Sequence, residues 1–226
     1  MSPKRFDAST LPAHAEIHAH PERDRTDETP QILERGIVAH VAFVEGGWPV
    51  VIPMTYQFSA AEPHRLYLHG GKNGRLMKHL ATGAPVSVGV TIADGLVYSK
   101  TALDHSVNYR SVVLFGRAAA DQPGLAERRR ILEEMIARYF PGRTAGVDYE
   151  PAPDEHLEAT ALVALEIREW SAKMREGGPN GEADRDPARP GTAGVISLHP
   201  EVRAAPAQQR RDAPRMRAAG LVGARW

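Results

Sequence analysis

The strand-like run Leu66–Leu68 leads into His69, Gly70 and Gly71, and Lys72, Arg75 and Lys78 follow within nine residues. Glycines let a backbone approach a ligand closely, and the start of a helix offers free N–H groups to an anion, so cations at this spacing could hold a phosphate. The same pattern also suits a glycine turn ahead of a solvated basic helix face, and spacing alone leaves both open. A Walker loop is excluded because its spacing and Lys-Ser/Thr pair are missing, and the dinucleotide fingerprint is absent too. His69, at a strand end, is the candidate for chemistry; the bland alternative is an imidazole that only fills a rim. His40 alternates with apolar neighbours and reads as structural, while His105 beside Asp104 reads as part of a polar turn. Tyr98, Ser99 and Lys100 fit a solvated strand end. No Ser/His/Asp set or carboxylate pair stands at a spacing that would indicate a hydrolase.

The elements that must position these groups are mostly strands. Thr26 or Asp27 can cap a helix running through Leu33 and Arg35, with Gly36 placed to end it in a left-handed conformation. Ile37–Val44 and Pro49–Phe58 flank the turn residues "EGGW" and predict a hairpin. Arg65–His69 is a third strand, and Leu76, Met77 and Leu80 have helical spacing over 73–81. Runs 86–92, 95–101 and 107–119 are rich in Val, Thr, Tyr and Ser, and Asp94-Gly95 gives a tight-turn signal between the first two. An amphipathic helix covers about 124–140, and 159–170 makes a last strand. Six or more strands, two or three short helices and no βαβ alternation predict a mainly β fold, a small and mostly antiparallel barrel with flanking helices.

Proline marks the limits of that domain. Ten of the 18 prolines fall in 1–30 or 179–226, which predicts a flexible arm over 1–26, a folded domain over 27–178 and a Pro/Gly/Arg-rich tail over 179–226. His14, His18 and His20 dot the arm without carboxylate or cysteine partners, so it is assigned no chemistry. The last 28 residues carry six Arg against Glu201 and Asp212, a weak basic flag, and a short helix around 209–219 fits the pattern. Over the whole chain 28 Lys plus Arg balance 28 Asp plus Glu, which gives no electrostatic reason to expect nucleic acid or an anionic membrane. Zero cysteines exclude disulfides, thiolate nucleophiles, zinc ribbons and iron–sulfur clusters, and with no apolar run of membrane length the expectation is a cytoplasmic protein.

Four segments together resemble the FMN-binding split barrels related to pyridoxamine 5'-phosphate oxidase, specifically the flavin-nucleotide-binding subgroup related to nitroimidazole-resistance proteins. They are "ILERGIVAHVAFVEGGWPVVIPMTYQF" (32–58), "LYLHGGKNGRLMKHL" (66–80), "DGLVYSKTALDHSVNYRSVVLFGRA" (94–118) and "IREWSAKMREGGPNGE" (167–182). The resemblance implies a homodimer of split β-barrels with FMN at the subunit interface. It implies that Pro53, Met54, Thr55 and Tyr56 line the flavin ring and that His69 and Gly70 approach the ribityl phosphate. Arg75 matches the family's phosphate-binding arginine. The lysine that commonly follows that arginine is here Leu76, so Lys72 or Lys78 would have to substitute, with Lys72 preferred. Arg110 and Ser111 would reach the cofactor from the partner subunit, and Trp170 matches an aromatic near the ring edge. In the nitroimidazole-resistance relatives a histidine at the position of His69 is implicated in chemistry.

The expected function is a flavin-dependent oxidoreductase acting on a small molecule, with NAD(P)H as a possible electron donor. The oxidase's C-terminal Arg/His/Asp run is absent and "REGGPNGE" stands in its place, which argues against true pyridoxamine-phosphate oxidase activity. The alternatives are a flavin-binding module without turnover and a haem-binding or haem-utilisation split barrel with a histidine ligand.

Overall fold

Ala39, Val41 and Phe43 are buried while Val38, His40 and Val44 face outward, the alternation a half-buried strand requires. This is strand β1 (Val38–Glu45) of the computed structural model, which describes residues 14–198. The turn at Gly46 and Gly47, both at positive φ, returns the chain as β2 (Trp48–Gln57). The remaining elements follow as helix α1 (Thr29–Arg35) ahead of the hairpin, then β3 (Arg65–Gly71), α2 (Arg75–Ala81), β4 (Val86–Tyr98), β5 (Ser106–Ala118), α3 (Leu125–Tyr139), α4 (Asp154–Ala159), β6 (Thr160–Arg175), α5 (Glu182–Arg185) and β7 (Gly194–Ser197). No helix among the described residues is long and apolar enough to cross a membrane.

The chain divides into two units. The first takes the chain up to Ala93 together with Val107–Gly178. Its strands stand in the order β1-β2-β3-β6-β5-β4, and antiparallel pairing of Ala39–Ala42 with Ser87–Val90 joins β4 back to β1, so the mainly antiparallel sheet forms a near-closed ring of the split-barrel kind. The seam between β2 and β3 is short: only Tyr56–Leu68 and Gln57–Tyr67 are in register. Here α2 turns Leu76, Met77 and Leu80 into the core, joining Tyr56, Leu66, Leu68, Val88, Val90 and Trp170. A second, smaller cluster on the outer side of β3 and β6 packs Tyr67, Leu162 and Ala164 under Ile131 and Leu132 of α3. The chain before α1 lies along β6, where Arg25 N–H bonds Ala172 O and the Lys173 ammonium bonds Ala19 O.

The second unit takes Asp94–Ser106 and the chain from Pro179. In it β7 pairs antiparallel with Gly95–Tyr98, and the Asp184 carboxylate accepts the Ser99 hydroxyl and the Lys100 N–H. The proposed helix at 209–219 lies outside the described residues.

Three local expectations are corrected. Gly36 is not left-handed but extended, at φ −66° and ψ 150°; it is glycine because a Cβ would clash with Val90 Cγ1 and the Tyr56 hydroxyl. Asp94-Gly95 is not a turn, since β4 runs straight through it and Gly95 pairs with Ser197. The last strand of the ring extends to Arg175, and β7 follows it.

Candidate functional site

Side chains alternate along β3, so Leu66 and Leu68 enter the core while Tyr67, His69 and Gly71 share the outer face. His69 pairs with Leu162 of β6 and is half-buried. Its Nδ1 is shielded from solvent and has no hydrogen-bond partner. Burial pushes the imidazole below its ordinary range, because nothing nearby repays the desolvation of a cation. Burial thus favours the neutral imidazole, and its Nδ1 is committed to no protein hydrogen bond. Gly70, beside it, faces the core: the Met77 and Met54 methyls lie 3.2 and 3.5 Å from where its Cβ would stand.

The three cations of the motif go to different places. Lys72 lines a cavity of about 350 Å³ with Gly124, Leu125, Arg128 and Glu158, at the start of α3. Arg128 is fixed there by its bonds to Pro123 O and Thr160 O. Arg75 instead ion-pairs with Glu45 at 2.5 Å, with both side chains about half exposed. Lys78 is exposed on α2. Leu76 is 3% exposed in the core, which explains why this chain carries no lysine there. Arg128 was not singled out from the sequence, because nothing in the spacing of a helix residue ties it to a loop lysine 56 positions earlier.

The β2 residues divide by the same alternation. Pro53 and Thr55 are exposed, Met54 packs on the core, and Tyr56 is fully buried with its hydroxyl donated to Leu33 O at 2.6 Å. Burial raises the Tyr56 phenol to about 12. Trp170 is 5% exposed in the core, with His64 set edge-on at 6.2 Å. On β5, Arg110 and Ser111 pair with Met174 and Lys173, and the Ser111 hydroxyl donates to Lys173 O. His69 is level with Leu162 and Ser111 with Lys173, so eleven residues of β6, about 36 Å of strand, separate them. Within one chain His69 and Gly70 are neighbours on β3, Lys72 follows three residues after His69 in a cavity that neither of them lines, and Arg110 and Ser111 lie far along β6 from all three. His40 is exposed opposite Pro53, and His105 bonds Thr101 O at 2.9 Å in its turn.

The chain is similar to several known proteins. The family model described as pyridoxamine 5'-phosphate oxidase matches residues 25–174. An FAD and haem binding protein from Mycobacterium smegmatis is 31% identical, with a TM-score of 0.68 over 84% of this chain and 96% of that one. The flavocytochrome Anf3 from Azotobacter vinelandii is also 31% identical, with a TM-score of 0.70 over 84% of this chain and 86% of that one. A Bacteroides thetaiotaomicron protein assigned to 5-nitroimidazole antibiotic resistance shares the fold at 19% identity, with a TM-score of 0.50 over 63% and 80% of the two chains. Among curated proteins none matches.

Proposed function

The chain belongs to the pyridoxamine 5'-phosphate oxidase family, and on that premise we propose that it is a redox flavoprotein that also holds haem. The carrying observation is His69, a half-buried imidazole whose shielded Nδ1 has no hydrogen-bond partner. An imidazole nitrogen is a donor type that a haem iron takes, and His69 would hold the iron once its ring turned a nitrogen out of the wall. The two relatives at 31% identity, one described as binding FAD and haem and the other as a flavocytochrome, support the same reading. Flavin and haem supply one- and two-electron transfer when bound.

The chain's own part is positioning. Lys72 and Arg128 bring two cations to one cavity and would neutralise the flavin nucleotide's phosphate charge against the opposing carboxylate of Glu158 on the same wall. Gly70 and Gly71 keep the strand end free of side chains beside His69. Arg110 and Ser111 would complete the site from a second copy, since their own chain holds them at the far end of β6. The expected flavin is FMN by sequence resemblance; FAD is the flavin of the Mycobacterium protein. Electrons would come from NAD(P)H and go to a small molecule.

The absorption spectrum of the purified, cofactor-supplied protein tests this. The expected result is a two-band flavin spectrum together with a Soret band, reduction of the flavin by NADH or NADPH, and loss of the Soret band alone in His69→Ala. Chromatography of the released flavin separates FMN from FAD. Flavin bands without a Soret band would leave a flavin-only oxidoreductase, and an unchanged Soret band in His69→Ala would move the iron ligand elsewhere.

A further inference from the structure

Gln57 and Tyr67 face each other across the short β2–β3 seam, on the side away from the main core. They form one wall of a cavity of about 450 Å³ that α3 and the loop after β2 enclose, a volume typical of small-molecule pockets. Gln57 is 6% exposed, yet its side-chain Oε1 is buried with no hydrogen-bond partner. Buried acceptors are seldom left without a donor, because the lost hydration is not repaid, so a molecule in the cavity that brought a donor to Oε1 would be favoured.

The charges around it define that donor. Arg138 spends its N–H groups on the backbone carbonyls of Leu33, Glu34, Gly36 and Tyr56. Arg130 is bonded to Glu134 at 2.7 Å and lies 3.7 Å from Glu62 and Glu127. The Tyr67 hydroxyl donates to Glu62 at 2.5 Å, and the Ala60 N–H donates to Glu34 Oε1 at 3.1 Å. The Arg138 N–H groups and the phenol are therefore committed, and the Arg130 charge is paired with carboxylates. The acceptors left over are Gln57 Oε1 and the second carboxylate oxygens of Glu34, Glu62 and Glu134, with the Phe58 and Tyr67 rings as apolar wall.

We propose that this cavity binds a small organic cation with several N–H donors, an aliphatic amine of a few carbons, whose ammonium donates to Gln57 Oε1 beside Glu34. None of the residues lining this cavity is among those assigned to flavin and haem, and the proposal does not depend on that assignment.

Isothermal titration of the full chain tests it with 1,4-diaminobutane, with the neutral 1,4-butanediol and with the dianion succinate. The diamine should bind saturably, the diol at least about tenfold more weakly and succinate not at all. Glu34→Gln keeps the acceptor for Ala60 N–H and removes only the charge, so it should weaken the diamine about fivefold or more with an unchanged melting curve. Gln57→Leu, which removes the orphaned acceptor, should weaken it at least as much. Diol binding as tightly as diamine, preference for succinate, or no diamine heat up to about 10 mM, would each overturn the proposal. So would a Glu34→Gln protein that binds like the parent, a result that stands even if Gln57→Leu fails to fold.

Discussion

A guanidinium that already holds a carboxylate has less to offer a phosphate than a free ammonium does. Arg75 is paired with Glu45, whereas Lys72 shares its cavity with Arg128. Lys72→Ala should therefore cost FMN and FAD a charge-assisted contact of about 1.5–3 kcal/mol, roughly ten to a hundredfold in affinity, and leave riboflavin nearly unchanged. Arg75→Ala should cost less, and Glu45→Gln, which releases Arg75, should tighten FMN binding. Fluorescence-quenching titrations with the three flavins measure all of this; equal losses for riboflavin would mean damage to the fold and not a lost phosphate contact. At this scale the sequence was informative about residue type and poor about direction. That 69–78 carries a histidine, glycines and cations was plain, but which cation turns towards Glu45, which towards Arg128 and which towards solvent depends on elements more than 25 residues away.

Among the elements, α3 has the most distinctive anchor. Arg138 reaches from its last turn to four carbonyls of α1, the α1–β1 link and β2, and stacks over Tyr56 and Tyr139 at 4.6 and 4.9 Å. Arg138→Ala strips several carbonyls of their donor at once. It should destabilise by about 2–4 kcal/mol, read as a fall in Tm of roughly 5–12 °C. Arg138→Lys should recover little, because one ammonium cannot reproduce the planar fork. The periodicity of 124–140 announced this helix, as alternation announced β1 and β2, since both follow from which faces must be buried. Tertiary contacts were invisible to it. Gly36 and Gly95 looked like a helix stop and a turn, yet one is needed for its close approach to Val90 and Tyr56 and the other continues a strand. Leu76, met as a missing lysine, is a core residue because α2 must cover the place where β2 and β3 part.

On the scale of the whole molecule, a flavin site that needs both His69 and Arg110 needs two chains. Val38, Val44 and Val51 stand exposed on the outer face of the β1–β2 hairpin, an apolar strip that a second copy would cover. Light scattering should give twice 24.7 kDa, and Val51→Glu should give a monomer with weakened flavin binding; flavin retained by a monomer would remove Arg110 and Ser111 from the site. The short β2–β3 seam has another consequence. Among the described residues, Trp48–Thr55 pairs with β1 on one side and with no strand on the other, an edge onto which a foreign strand could add wherever α2 leaves it uncovered. Pro49 and Pro53 lie in this stretch, opposite Val44 and His40. Proline cannot donate into a ladder, so their ring nitrogens must point to the open side, where they delete two of the donors that a growing cross-β stack would recruit. Replacing both by valine should leave the ring intact and make the protein seed insoluble, thioflavin-binding aggregates on gentle heating, so that the parting of two strands is tolerated in solution because proline guards it.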